Sequence, residues 1–144
     1  MRRRVAVVGS RKMSNYGKEV IDKLLTKSHE LRVMDLEIVT IRVSGCNSEI
    51  FKKCQELKIR CRVFEGNNFQ ILNDKIAEYS DLLVIIEGGE KSGTILLAEN
   101  FIDKGKNVFC VPGRITDEGS WATNWLIKQG AIPLLEVNDL TYLG

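Results

Sequence analysis

Leu82-Leu83-Val84-Ile85-Ile86 is an unbroken apolar run that leads, after one glutamate, into Gly88-Gly89. Such short runs without polar alternation are typical of strands buried on both faces of a parallel sheet. Three further apolar runs also stop at a turn that contains glycine: residues 5–8 before Gly9, residues 38–43 before Ser44-Gly45, and residues 108–111 before Pro112-Gly113. Ligands bind beyond the carboxyl ends of parallel strands, so we expect the four turns to share one ligand-binding edge.

The segments between these runs have helical periodicity. It predicts helices over residues 17–29, 48–57, 69–79, 94–104 and 121–129, with Ile95, Ala98 and Ile102 on the inner face of the fourth. Residues 58–64 alternate apolar and basic side chains, as a strand at a sheet edge does. The sequence therefore predicts one doubly wound α/β domain over residues 1–144, with a mostly parallel sheet of about five strands and a short added edge strand over residues 134–137.

Composition fits an ordinary globular chain of 144 residues, with 44% hydrophobic and 28% charged residues. The net charge of +2 gives no global basic field, so any anion site must be local. Neither a signal peptide nor a run of transmembrane length is evident, and we expect a cytoplasmic protein without a membrane partner.

The cysteines form no metal-ligand pattern. There are four of them, no CxxC pair occurs, and the single histidine, His29, is distant from them in sequence. We therefore predict no zinc site and no cofactor. Cys46 follows Ser44-Gly45 at the proposed rim, and we interpret it as an incidental thiol because no basic residue adjoins it to lower its pKa.

Gly89-Glu90-Lys91-Ser92-Gly93-Thr94 is the strongest candidate for an anion site. Small residues allow a phosphate to approach the backbone, and the N–H groups that open the following helix point towards it. Ser92 and Thr94 add hydroxyl donors, and Lys91 adds charge. The alternative interpretation is a plain helix-capping turn.

Two further turns carry an arginine whose planar guanidinium suits phosphate: Gly9-Ser10-Arg11 and Pro112-Gly113-Arg114. Neither the dinucleotide pattern G-x-G-x-x-G nor the P-loop pattern is present. Trp121 and Trp125 lie four residues apart on one helical face. Core packing is the expectation for Trp125, whereas Trp121 is a candidate for base stacking.

Several of these segments resemble the DNA-processing protein A (Smf) family. The opening residues 5–11, residues 80–94 and residues 108–113 are similar to its motifs, and Thr123-Asn124 with Leu126-Ile127 and Gly130-Ala131 resembles its TNxLIxxGA helix. The family's second turn usually reads Ser-Gly-Gly-x-Arg-Gly-Ile-Asp, but here only Ser44-Gly45 matches cleanly, and the expected arginine and second glycine are missing. The resemblance implies a Rossmann-like fold with a phosphate pocket.

The resemblance also implies single-stranded DNA binding without catalysis, with transfer of the DNA to a recombinase during transformation or repair. A homodimer is compatible with it. On this hypothesis the binding residues are Gly9, Ser10, Arg11, Ser44, Gly45, Gly88, Gly89, Lys91, Ser92, Gly93, Thr94, Gly113, Arg114 and Asn124, with Trp121 for stacking. The alternatives are a nucleotide sensor that uses the same cradle and a phosphoribohydrolase. The latter ranks last because Leu97 stands where its glutamate should be, with Glu99 two residues further on.

Overall fold

The computed structural model describes residues 2–31 and 35–140, and strands and helices alternate along the chain. Their bounds are β1 (Arg2–Val8), α1 (Asn15–Leu31), β2 (Asp35–Ile41), α2 (Cys46–Leu57), β3 (Arg60–Phe64), α3 (Phe69–Tyr79), β4 (Leu82–Ile85), α4 (Thr94–Asp103), β5 (Val108–Cys110), α5 (Trp121–Lys128) and β6 (Ile132–Pro133), with 3₁₀ turns at Glu118–Ser120 and Val137–Leu140. No helix in these two described stretches is long and apolar enough to cross a membrane.

The strands form one sheet in the order β3-β2-β1-β4-β5-β6, and each neighbouring pair is parallel. This confirms the predicted α/β fold and its parallel sheet, with six strands rather than five. The sixth strand lies at Ile132–Pro133 instead of residues 134–137. The Asp139 carboxylate accepts hydrogen bonds from the N–H groups of Leu135 and Glu136, which turns the chain away from the sheet.

Alternate residues of each strand enter two separate cores, as the pleat requires. Val5 and Val7 of β1 pack in the core with α1 and α2, whereas Ala6 and Val8 pack in the core with α3, α4 and α5. Because the helix after β1 and the helix after β4 cover opposite faces, these two adjacent strands flank the switch point of the sheet. The carboxyl ends of β1, β2, β4 and β5 share one edge, as predicted.

One side chain that was predicted to face inward is exposed. Ile102 of α4 is 55% exposed, because the buried side of α4 runs through Thr94, Leu97, Ala98 and Phe101. The predicted α3 range is confirmed, while α1 begins two residues earlier than predicted. Ser14 accounts for this shift, because its hydroxyl accepts the N–H of Gly17 and its carbonyl accepts that of Lys18.

Strand β2 ends at Ile41 rather than at residue 43. The N–H of Val43 donates to the carbonyl of Ile41, and the carbonyl of Val43 accepts the hydroxyl of Ser48. Residues 42 and 43 therefore form a turn that belongs to the start of α2.

The two faces of α4 provide a stability test. Phe101→Ala removes a ring that is fully buried, so we expect a loss of about 3–5 kcal/mol in the free energy of unfolding. Ile102→Ala, the matched control one residue along, should change it by less than about 0.5 kcal/mol because its side chain is exposed. Urea unfolding followed by circular dichroism measures both, and the reverse order would contradict the assigned helix face.

Candidate functional site

A buried carboxylate lies where the turns of the carboxyl edge meet. Glu87, which follows β4, is 2% exposed. Its Oε1 accepts the backbone N–H of Ser14 at 2.8 Å, and its Oε2 accepts the Ser14 hydroxyl at 2.6 Å. A Cβ atom on Gly17 would lie only 2.3 Å from Glu87 Oε1, so the carboxylate packs directly against the first turn of α1. Glu87 therefore fixes the β1–α1 loop to the end of β4.

Sequence reasoning did not assign Glu87 a role. A signal was present, because Glu87 is the only charged residue between the apolar run of β4 and the glycines that follow it. Charged residues are seldom fully buried without a partner, so its position predicted either a turn at the surface or a paired buried carboxylate. The structure has the second arrangement.

Cys46 contacts the same carboxylate from the start of α2. It is buried rather than at the rim, and its Sγ lies 3.5 Å from Glu87 Oε1. Burial, together with the neighbouring Glu87, raises the pKa of the Cys46 thiol to about 12. A pKa this high keeps the thiol neutral at physiological pH, in agreement with the interpretation of Cys46 as an incidental thiol.

Four of the predicted site glycines are required by packing within the protein. A Cβ atom on Gly9 would lie 2.7 Å from the Cys46 side chain, and one on Gly88 would lie 2.7 Å from Ser92 Oγ. A Cβ atom on Gly113 would lie 1.9 Å from the hydroxyl of Ser120. The fourth is Gly45, where φ is +79° and a Cβ atom would meet the carbonyl of Arg11. These glycines bring the turns into contact and leave no room for a ligand at their own Cα atoms.

The two remaining glycines face open space. Nothing lies within 4 Å of a Cβ atom on Gly93, and only the carbonyl of Glu118, at 4.0 Å, is near one on Gly89. The N–H groups of Glu90, Lys91 and Gly93 have no acceptor among the described residues. This part of the predicted cradle is therefore accessible, and it carries free donors at the start of α4.

The hydroxyls of the same turn bond to each other. Ser92 Oγ lies 2.8 Å from Thr94 Oγ1 and also accepts the backbone N–H of Thr94 at 3.2 Å. Gly93 is the N-cap of α4, so no side chain caps the helix at that position. The two side chains thus stiffen the turn, and the free N–H groups are its available donors.

The predicted basic residues differ in their availability. Arg11 and Lys91 are exposed and form no ion pair within the described chain; Arg11 lies only near the Phe69 ring, 6.0 Å from its centroid. Arg114 instead makes two hydrogen bonds to the Asp117 carboxylate, at 3.0 and 3.1 Å. Arg11 and Lys91 are therefore the cations best placed to meet an anion.

The smaller polar residues of the carboxyl edge also differ in whether their polar atoms already have partners within the protein. The Asn124 amide is occupied by the β5 turn, accepting the N–H of Gly113 at 3.1 Å and donating to its carbonyl at 3.0 Å. Ser10 Oγ accepts the N–H of Lys12, and Ser44 is exposed beside Gly45. Asn124 thus positions Gly113, and this role engages both of its polar atoms in the protein.

The expectation that Trp125 packs in the core is wrong. Trp121 and Trp125 are 39% and 38% exposed, and their rings stack with centroids 6.0 Å apart. The inner face of α5 is formed instead by Ala122, Thr123 and Leu126. Both rings are therefore available at the surface.

A cavity of about 490 Å³ lies at the opposite, amino-terminal edge of the sheet. Leu36, Ile59 and Arg60 are among the residues that line it. None of the predicted site residues lines it, so it is separate from the candidate site.

Glu87→Gln tests the buried carboxylate. In the amide an NH₂ donor replaces one of the two acceptor oxygens, so the two bonds from Ser14 cannot both persist as charge-assisted bonds, and we expect the free energy of unfolding to fall by roughly 1.5–3 kcal/mol. Glu90→Gln, an exposed carboxylate in the same turn, is the control and should have little effect. Equal stability of both variants in chemical denaturation would show that Glu87 does not hold the loops together.

The raised pKa of Cys46 predicts protection from alkylation. At pH 8, iodoacetamide should label Cys46 far more slowly in the folded protein than in guanidinium chloride, as measured by peptide mass spectrometry. The thiol binds its proton more tightly when folded, so its contribution to stability is complete below its ordinary pKa of 9.0 and is lost as the pH rises towards about 12. Labelling at the unfolded rate would contradict this placement.

Comparisons with known proteins match part of the chain by sequence and nearly all of it by fold. The family model for DNA recombination-mediator protein A matches residues 56–143. Protein Smf of Escherichia coli is 36% identical over 73 residues, which cover 51% of this chain and 20% of that protein. DNA processing protein DprA of Bacillus subtilis is 32% identical over 73 residues, or 51% of this chain and 25% of that protein.

Solved structures match the fold over nearly the whole chain. DprA from Streptococcus pneumoniae superposes with a TM-score of 0.85 at 21% identity, covering 97% of this chain and 61% of that one. DNA processing protein A from Helicobacter pylori, whose structure is described for its single-stranded DNA binding mode, gives a TM-score of 0.74 at 18% identity, covering 97% of this chain and 79% of that one. With the family model matching well over half of its residues, the chain belongs to the DNA recombination-mediator protein A family.

Proposed function

We propose that this chain binds single-stranded DNA at the carboxyl edge of its sheet, as part of DNA processing in transformation or recombination. Membership of the family supports this proposal, as does the likeness to the Helicobacter pylori protein, whose described ligand is single-stranded DNA. The chain spans between a fifth and a quarter of the length of its Escherichia coli and Bacillus subtilis relatives. Delivery of DNA to a recombinase and assembly as a homodimer are further proposals for the protein as a whole.

The open turn before α4 is the observation that carries the proposal. Gly89 and Gly93 have free space above their Cα atoms, and the N–H groups of Glu90, Lys91 and Gly93 have no acceptor among the described residues. A phosphate oxygen can approach such a turn closely and receive several backbone hydrogen bonds, which the dipole of α4 strengthens. The turn also lies at the switch point of the sheet, beside the loop that carries Arg11.

Arg11 and Lys91 supply the charge in this arrangement. Because neither forms an ion pair in the described chain, binding a phosphate does not require breaking one. Arg114 would first have to leave Asp117, so its contribution should be smaller. Trp121 offers a ring on which a base can stack.

The proposed role involves no catalysis and is that of a cytoplasmic binding protein. Leu97, at the position of the glutamate in phosphoribohydrolases, is 2% exposed and packs in the core. Glu99 lies on the exposed side of α4. Neither residue provides an acid or a base beside the open turn.

Gly93→Ala tests the open turn directly. Its Cβ atom meets nothing in the protein, so the variant should fold, with a loss of no more than about 1 kcal/mol at this helix N-cap. The same methyl group would obstruct a phosphate, and binding of a fluorescein-labelled single-stranded oligonucleotide should weaken at least ~10-fold by anisotropy. Gly66→Ala, also with space for its methyl group, is the control and should bind as the parent does.

Arg11→Ala tests the charge. We expect binding to weaken by roughly 1.5–3 kcal/mol, the range for a hydrogen bond to a charged group. Arg60→Ala, at the amino end of β3 and hence at the opposite edge, is the matched control. With two principal phosphate contacts, the slope of log K against log salt should be shallow, about −1.4.

The same titrations discriminate between ligands. If a nucleoside monophosphate binds through Arg11 and DNA does not bind at low salt, the phosphate cradle is correct and the nucleic-acid proposal is wrong. If neither ligand binds, the glycine turns have only a structural role.

A further inference from the structure

A second cavity at the carboxyl edge is lined by a buried hydroxyl that has no hydrogen-bond partner in the described chain and by a buried amide. It measures about 170 Å³ and lies between the first turn of α2 and the ends of β2 and β3. Thr40, which is 1% exposed, lines it, and its Oγ1 has no hydrogen-bond partner in the described chain. An unpartnered buried hydroxyl is destabilising, so a polar group that entered the cavity and paired with it would be favoured there.

Asn47 supplies the second group. Its side chain is 3% exposed, and its Oδ1 accepts the N–H of Gly9 at 3.0 Å. This bond fixes the amide, and its Nδ2 has no acceptor among the described residues. The cavity therefore presents a hydroxyl, which can donate or accept, and an amide donor. The same Asn47 bond ties the cavity to the Gly9 turn of the proposed phosphate site.

The remaining walls are apolar at four positions and polar at two. Ile41, Val43, Phe51 and Val63 are the apolar residues, and Arg42 and Ser48 complete the lining. Apolar walls with a few placed hydrogen-bonding groups are the usual lining of a site for a small planar ligand. The volume is close to that of an engineered cavity of about 150 Å³ that admits benzene, so one six-membered ring fits, whereas a fused two-ring system would extend beyond the cavity.

We propose that this cavity binds one pyrimidine base of the DNA strand whose phosphates lie at the neighbouring turns. The inference rests on the proposed function. The Asn47 amide would donate to a ring carbonyl oxygen, and the Thr40 hydroxyl would pair with a second polar atom of the base edge. The chain should therefore bind single-stranded pyrimidine tracts in preference to purine tracts.

Thr40→Val provides the first test. Valine keeps the shape and removes only the unpartnered hydroxyl, so the variant should be at least as stable as the parent. Labelled oligo-dT should bind the variant about 3- to 10-fold more weakly, as expected for one lost hydrogen bond, while oligo-dA binding should not change. Thr26→Val, on α1 away from the cavity lining, is the control.

Val63→Phe fills the cavity from the edge strand and should abolish the preference for oligo-dT over oligo-dA without abolishing DNA binding. Equal binding of the two oligonucleotides by the parent chain, or an unchanged preference in both variants, would overturn the pyrimidine site and leave the proposed function standing. If neither oligonucleotide binds at low salt, both proposals are wrong.

Discussion

The buried Glu87 carboxylate is the constraint on which the arrangement of the carboxyl edge depends. It receives two hydrogen bonds from Ser14 and lies against Gly17 and Cys46, so one side chain holds the start of α1 and the start of α2 next to β4. A buried carboxylate without these donors would be strongly destabilising. The loops that surround it are therefore held in one conformation. The turn before α4 starts directly after Glu87, so its first residues are held in place as well.

Glycines complete this arrangement in two different ways. At Gly9, Gly45, Gly88 and Gly113 the absent side chain lets the loops pack against one another. At Gly89 and Gly93 the absent side chain leaves space in front of backbone N–H groups that have no acceptor in the described chain. Rigid packing on one side and an open backbone on the other would make the proposed anion site preformed, so that it would lose little conformational entropy on binding.

The fold could be predicted because its signals are local. Apolar runs that end in glycine turns gave four parallel strands and their common edge, and the helix of residues 69–79 was correct to its ends. Side-chain roles at the edge could not be predicted in the same way, since they depend on partners distant in sequence. The Asn124 side chain is hydrogen-bonded to the backbone of Gly113, and the Arg114 guanidinium is hydrogen-bonded to Asp117.

Burial on a helix was also predicted less well than the helix itself. Trp125 and Ile102 are hydrophobic, but each lies just beyond the buried stripe, which smaller or neighbouring residues occupy. Sequence periodicity fixes a helix's face only to within about one residue position, and neighbouring helices decide the rest. The burial of Thr40 and Glu87 could not be predicted either. Whether a polar side chain is buried, and whether it has a hydrogen-bond partner there, depends on residues that only the folded chain brings together.

An ¹⁵N-labelled sample titrated with a short single-stranded oligonucleotide tests the central claim most directly. Amide chemical shifts report where a ligand meets the backbone, without any substitution. Saturable shifts should centre on the N–H groups of Glu90, Lys91 and Gly93 and extend to the loop that holds Arg11. Shifts confined to the opposite edge, around Asp35 and Arg60, or no shifts at low salt, would contradict the account of the carboxyl edge as the DNA-binding site.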